Sequence, residues 1–263
     1  MIKFNNVSKS FGSIKALEDI SFEVNKGEFV FITGPSGAGK TTLLRLLLRE
    51  FTPDKGTITF ESVDITKLDK NYIPTYRQKI GVVFQDYKIL NERTVRENVE
   101  VALAVAGVPE ASWPGRVAQV LKLVGLLNRA ELFPNQLSGG EIQRTSLARA
   151  LVINPKVILA DEPTGNLDWE TADAIMDLLE KINKEGKTII MATHNEMIID
   201  KYKKRSIKIK AGRIVSKEKL TEAPKPQPTE APKATEEVNE GKQEAKESKI
   251  EEKKKIKVKV EEV

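Results

Sequence analysis

The chain contains no cysteine, which excludes disulfides, thiolate zinc sites and a cysteine nucleophile, and makes a reducing cytosol its natural setting. Its apolar runs are short. None approaches the ~18 to 20 residues of a membrane span, and the opening MIKFNNVSKSFG lacks the apolar core of a signal peptide, so the chain is not expected to cross a bilayer. No basic stripe with interleaved aromatics is present, so no nucleic-acid partner is expected. The formal net charge of +5 permits an anionic partner such as nucleotide or acidic lipid without choosing between them. With 263 residues the chain has room for one sizeable α/β domain and a tail.

The tail is marked by a change of composition near Leu220. Residues 221–263 hold 11 Glu, 10 Lys and no aromatic residue, so they cannot bury a core and are expected to be disordered and solvated. Their end, KKKIKVKVEEV, has the alternation of an added edge strand or of a contact with acidic lipid. Residues 1–220 then form the folded domain. Ile2 and Phe4, Ile20, Phe22 and Val24, and Ile58 and Phe60 recur at period two and predict half-buried antiparallel strands. Phe29–Ile32, Val157–Ala160 and Thr188–Ala192 are unbroken apolar runs, as parallel strands covered on both faces require. Helices are expected over 41–50, 141–152 and 170–184, the last closed by Gly186. Residues from about 86 to 135 read as an inserted helical lobe. The predicted fold is therefore α/β: a P-loop parallel core sheet, an N-terminal antiparallel β subdomain and an α-helical insertion.

Gly34-Pro35-Ser36-Gly37-Ala38-Gly39-Lys40-Thr41 fits G-x-x-x-x-G-K-[ST] between a buried strand and a helix. Its glycines let successive backbone N–H groups face phosphate oxygens, and the next helix adds its positive end. Lys40 then sits on the β- and γ-phosphates of ATP, the Thr41 hydroxyl becomes a ligand of Mg²⁺, and Thr42 completes the nucleotide-contacting run. Ligands of an open parallel sheet gather outside the carboxyl ends of its strands. Asp161 and Glu162 directly follow one apolar run: Asp161 holds Mg²⁺, directly or through water, and Glu162 polarises the water that attacks the γ-phosphate. His194, the sole histidine, follows the adjacent run and reaches either the γ-phosphate or that water. Gln85 follows Ile80–Phe84, and its amide can touch Mg²⁺ or the attacking water and report to whatever docks on the helical lobe.

Leu137-Ser138-Gly139-Gly140-Glu141 opens a further helix, with Ser138 as N-cap and two glycines exposing backbone N–H groups to a second anion. One phosphate loop and two phosphate-binding ends are reconciled by a head-to-tail homodimer that sandwiches two ATP molecules. These residues resemble the signature LSGG(Q/E) of the ATP-binding-cassette superfamily, and the resemblance extends over essentially residues 1–215. It implies that Ser138, Gly139, Gly140 and Glu141 cap ATP from the second subunit. It also implies that Phe11 stacks on adenine, without the hydroxyl of the tyrosine many relatives carry, and that Asp168, in Asn166-Leu167-Asp168, communicates between subunits.

Within the superfamily, Gly81–Leu90 followed by Arg93-Thr94-Val95-Arg96-Glu97-Asn98-Val99 resembles the bacterial cell-division branch. That resemblance implies an integral membrane partner of FtsX type, location at the cytoplasmic face of the membrane at the division site, and ATP cycles that regulate peptidoglycan hydrolases. Asp161–Asp168 is shared with lipoprotein-release and efflux ATPases, which stay open as alternatives, as does a nucleotide-gated scaffold.

Overall fold

The computed structural model describes residues 1–218, and the 221–263 segment expected to be disordered lies outside the described residues. In chain order the first half contains β1 (Ile2–Phe11), β2 (Ile14–Val24), β3 (Phe29–Thr33), α1 (Lys40–Leu47), β4 (Lys55–Phe60), β5 (Val63–Asp64), α2 (Ile73–Arg77), β6 (Ile80–Val83) and α3 (Val95–Val105). The remainder contains α4 (Trp113–Leu123), α5 (Gly139–Leu151), β7 (Val157–Asp161), α6 (Trp169–Lys184), β8 (Thr188–Thr193), α7 (Glu196–Tyr202), β9 (Arg205–Lys210) and β10 (Arg213–Glu218).

The strands form two sheets. One is antiparallel, in the order β2-β1-β4-β5, and Phe4 pairs with Phe22 on one side and Ile58 on the other. The second runs β10-β9-β3-β8-β7-β6, parallel from β9 to β6 and closed by the antiparallel β9–β10 hairpin. The α/β P-loop architecture is thus the one the periodicities predict.

The unbroken apolar runs have a direct cause, because each parallel strand divides its side chains between two cores. Val30 and Ile32 of β3, Leu159 of β7 and Ile190 of β8 join α1 and the antiparallel sheet on one face. Phe31, Ile158 and Ile189 join α3 to α6 on the other. Helix α1 contributes Leu43, Leu44, Leu46 and Leu47, all buried, each stabilising the fold by about 1.5–3 kcal/mol in transfer terms. It stops at Leu47, earlier than expected, because Arg49 turns left-handed at φ 56°.

Helices α3 and α4 lie inside the stretch expected to be helical. Thr94 starts α3 with a capping box: its hydroxyl accepts from the Glu97 N–H at 3.2 Å, and the Glu97 carboxylate accepts from the Thr94 N–H at 2.8 Å. Fully buried Asn98 organises the turn ahead of it. Its amide donates to the carbonyls of Leu90, Arg93 and Thr94, each at 3.0 Å, and its oxygen accepts from the Leu90 N–H at 2.9 Å. The Leu90 and Thr94 oxygens also accept from the Arg93 and Asn98 N–H groups, so an apolar replacement leaves the Leu90 N–H and the Arg93 oxygen unpaired. Asn98→Leu is expected to lower the unfolding free energy by about 2–3 kcal/mol, read by urea titration, and to speed amide exchange first within residues 90–94. Unchanged stability would mean that water takes over the Asn98 bonds at no cost.

Candidate functional site

The loop between β3 and α1 is pinned at its ends and open in its middle. Gly34, at φ 143°, lies where a Cβ would stand 2.0 Å from the Ile209 carbonyl oxygen, and at Gly39, φ 107°, a Cβ would stand 2.6 Å from the Ala16 oxygen. Only glycine fits either place. Gly37, at φ 75°, has no neighbour within 4 Å on its Cβ side. No side chain caps α1 and no acidic residue lies in its first turn, so the leading N–H groups are left for an anion. The exposed Pro35, Ser36 and Gly37 and the buried Ala38 complete the cradle.

Lys40 is 5% exposed, and its ammonium turns back into the loop, donating to the Gly34 oxygen at 2.8 Å and the Pro35 oxygen at 3.2 Å. It also lies 3.4 Å from Glu162 Oε1. The other oxygen of Glu162, Oε2, is 2.7 Å from Nδ1 of His194. A carboxylate only accepts, so Nδ1 carries the proton in this contact, and the His194 side chain is 59% exposed. Glu162 itself is left-handed, at φ 48°, and is held there by its N–H on the Ala192 oxygen at 2.9 Å. The strand order makes this meeting possible, since β3, β8 and β7 are neighbours and end at the same level.

Asp161, the last residue of β7, stands beside Thr41. Burial pushes its carboxyl above the usual range, nearby Glu162 adds to this, and the Thr41 hydroxyl, Lys40 and Arg45 oppose it. Thr42 follows half-buried, and Phe11 presents an exposed ring whose edge contact with Phe51 is 5.0 Å between centroids.

The Leu137–Glu141 segment starts α5 as expected from Ser138, and Glu141 completes a capping box. Its Oε2 accepts from the Ser138 N–H and hydroxyl, both at 2.9 Å, and Ser138 Oγ accepts from the Glu141 N–H at 3.3 Å. Glu141 in place of glutamine thus has a local structural use. The Ser138 N–H is the main cause that holds its carboxyl below the usual range, helped by the Ser138 hydroxyl and by Arg129. Gly139 is exposed and Gly140 buried, and a Cβ on Gly140 would stand 2.4 Å from Thr171 Cγ2. Asp168 caps α6, accepting from the Thr171 N–H at 2.9 Å and from its hydroxyl at 2.7 Å, so both carboxylate oxygens serve Thr171.

Gln85 is exposed at the end of β6, and its amide nitrogen would stand 3.2 Å from a Cβ on Gly165. Asn166 donates to its carbonyl at 3.1 Å. Two joints in this region escape sequence reasoning. Gln143, fully buried on α5, donates to the Pro163 oxygen at 2.6 Å and so ties the α5 helix to the turn after Glu162. Arg149, further along α5, donates to the carbonyls of Lys88 at 2.7 Å and Tyr87 at 3.0 Å. The one signal for them was a long polar side chain on a helix that otherwise buries apolar and small residues.

Comparison with known proteins agrees with this geometry. The family described as ABC transporter matches residues 17–165. The cell division ATP-binding protein FtsE of Streptococcus pneumoniae is 48% identical over 219 residues, covering 83% of this chain and 95% of that protein. FtsE of Bacillus subtilis is 49% identical over 219 residues, with 83% and 96% covered. Among solved structures, the dimeric bacterial ABC transporter cassette MJ0796 superposes with a TM-score of 0.77 at 38% identity, covering 85% of this chain and all (100%) of that one. A post-hydrolysis dimer of the same cassette, bound to ADP and phosphate, gives 0.76 at 37% identity, with 85% and 100% covered.

The Glu141 capping box makes a pH-dependent contribution. Its folded-state pKa is depressed, so the stability it supplies is present above about pH 4.3, the unfolded value, and is lost as pH falls through the lower folded value. Glu141→Ala is expected to destabilise the chain by about 1 kcal/mol at pH 7, with the difference shrinking toward pH 3, as read by urea unfolding. Glu141→Gln, which still accepts from the Ser138 N–H, is expected to stay close to the parent. A pH-independent loss in Glu141→Ala would place the effect in packing.

Proposed function

The chain belongs to the ABC transporter family, and we propose that it is the ATPase subunit of an FtsE/FtsX-type membrane complex acting in bacterial cell division. It binds ATP and hydrolyses it to ADP and phosphate. The observation that carries the site assignment is the Lys40–Glu162–His194 contact line, 3.4 Å and 2.7 Å long, at the mouth of the glycine loop. Residues 1–220 are the catalytic cassette, with 86–135 as its helical subdomain. The 44–49% identity to named FtsE proteins supports the cell-division assignment.

The chemistry follows from where charge is needed. Lys40 is balanced by Glu162 and loop carbonyls. The β- and γ-phosphates of ATP, cradled by residues 34–42 with Phe11 against the adenine, offer Lys40 a stronger counter-charge. That exchange frees Glu162 Oε1 to accept a proton from the attacking water, while His194 holds Oε2 and turns Nε2 toward the γ-phosphate. Water adds to the γ-phosphorus as its bond to the ADP oxygen breaks, giving phosphate and ADP. Gln85 orients the water from the side of β6.

Asp161 and Thr41 fit Mg²⁺. They are hard oxygen donors side by side, and among the described residues no group of three or more His, Cys, Asp or Glu gathers. Asp161 and Thr41 would hold Mg²⁺, and Gln85 is assigned as a further contact from the end of β6. Bound there it supplies neutralisation of charge across the β- and γ-phosphates.

The α5 helix start, Ser138 to Glu141, closes on the ATP of a second copy, with Asp168 near the seam. The dimeric state of the MJ0796 cassette supports this arrangement. No described helix is long and apolar enough to cross a membrane; the partner we assign is an integral membrane protein of FtsX type. A cleft of about 410 Å³ between α3, α5 and β6, lined by Val101, Ala102, Val105, Ile153 and Arg149, is the docking place we assign to that partner. Exposed Val105 at its rim supports the choice. The complex then sits at the cytoplasmic face of the membrane, at the division site.

Glu162→Gln tests the assignment. It is expected to retain ATP affinity within about threefold and to lose turnover by at least a hundredfold, and, as a trapped ATP complex, to co-purify from solubilised membranes with an integral protein of FtsX type. Normal turnover would reject the role of Glu162, and recovery of a transporter permease would reject the cell-division assignment.

A further inference from the structure

The segment after Gln85 holds two consecutive side-chain-bearing residues in the left-handed region, Tyr87 at φ 58° and Lys88 at φ 49°. Such a conformation is disfavoured for each residue by a factor of roughly ten, so neighbours must hold it. The local backbone supplies only a short Lys88 N–H bond to the Asp86 oxygen, 2.6 Å, and a Tyr87 N–H bond to the Phe84 oxygen, 3.3 Å. The carbonyl side is held from a distance. Arg149, 62 residues away on α5, donates to both Tyr87 and Lys88 oxygens, at 3.0 and 2.7 Å.

Three features make this clamp more than local packing. The Arg149 guanidinium is partly buried, burial lowers its proton affinity, and among the described residues no carboxylate pairs with it. Its charge is spent on two carbonyls. The kink it maintains carries the Tyr87 hydroxyl to the start of the same helix, 3.6 Å from where a Cβ on Gly139 would lie. The peptide two residues upstream belongs to Gln85, and its carbonyl is held by Asn166 from the turn that follows Glu162. The strained pair therefore joins the β6 end, the α5 start and the turn beyond the acidic residues.

We propose that Arg149 is a positioning residue for ATP hydrolysis, holding Tyr87 and Lys88 left-handed so that Gln85 and the Gly139 end of α5 keep a fixed relation. This rests on the reading of Gln85 as a group that orients the attacking water. Arg149 touches neither nucleotide nor water in this role. Its loss lets residues 87–88 relax, moves Gln85 out of place, and leaves the glycine loop intact. The consequence falls on kcat and spares the KM for ATP.

Glycine at position 88 offers a direct test, because it adopts the left-handed region freely. Lys88 is exposed, and its pairing with Asp86 at 2.6 Å joins two side chains that are largely in solvent, so its removal costs little. In steady-state assays of the full-length chain, Arg149→Met is expected to lower kcat about tenfold with the KM for ATP within about twofold. Lys88→Gly alone stays within about twofold, and the double variant Arg149→Met/Lys88→Gly recovers to within about threefold of the parent. Should Arg149→Met fail to fold, Arg149→Lys, which keeps the stem and one donor group, is read in the same cycle. A double variant no better than the Arg149 variant alone overturns the proposal, as does a raised KM at unchanged kcat. Gln85→Ala is measured alongside. Full turnover there overturns the reading of Gln85, whereas its loss together with a failed Lys88→Gly rescue overturns the role of Arg149 alone.

Discussion

The Glu162 carboxylate, held between the Lys40 ammonium and the His194 imidazole, is the contact on which the rest of the site depends. The Lys40 ammonium and the Glu162 carboxylate, both largely buried, would each be costly without the other. The parallel order β3-β8-β7 brings all three strand ends to one level, so each group meets its counterpart without distortion elsewhere. Alternate side chains of each strand enter one of two apolar cores, so these strand ends are packed from both faces. The same Lys40–Glu162 pair is the contact that phosphate charge is proposed to replace, leaving a carboxylate for the attacking water.

A second dependence runs through α5. Its start is shaped by Ser138 and Glu141, its underside is tied to Pro163 by Gln143, and its far side grips residues 87–88 through Arg149. Gly140 fits only because no Cβ meets Thr171, whose hydroxyl is in turn engaged by Asp168. The helix start proposed to meet the neighbouring subunit's ATP is thereby linked, within its own subunit, to the turn after Glu162. The short, buried Gln143–Pro163 bond couples a shift of one to the other, which gives closure of a dimer a mechanical path toward β6.

The sheet and most of the site were legible in the sequence because their signals are local. Glycines at 34, 37 and 39 mark a backbone that must approach a ligand or another strand, and acidic residues directly after Val157–Ala160 mark a strand end facing charge. Ser138 announced its helix by capping chemistry alone. What remained illegible depends on tertiary partners. Nothing near Gln143 or Arg149 in the chain shows that Pro163 or Lys88 lies opposite, because those bonds span 20 and 61 residues. Asn98 stood inside the Arg93–Val99 stretch that distinguishes the cell-division branch, yet its four bonds to the preceding turn emerge only in three dimensions. Asp168 was read for communication between subunits, and its geometry adds a capping duty on α6 that its position three residues before Thr171 already encoded.

The central claim is that each ATP is enclosed by the glycine loop of one copy and the α5 start of another. Because the chain has no cysteine, the claim is open to direct cross-linking. Ser36→Cys is placed in one copy and Asn135→Cys in a differently tagged second copy, both exposed positions, in a background where Glu162 is glutamine. With a short bis-maleimide, the account predicts a covalent heterodimer that forms with Mg²⁺ and ATP and is lost when Lys40 is also replaced by alanine. Absence of that product with nucleotide present, while one chain bearing both cysteines links to itself, would contradict it.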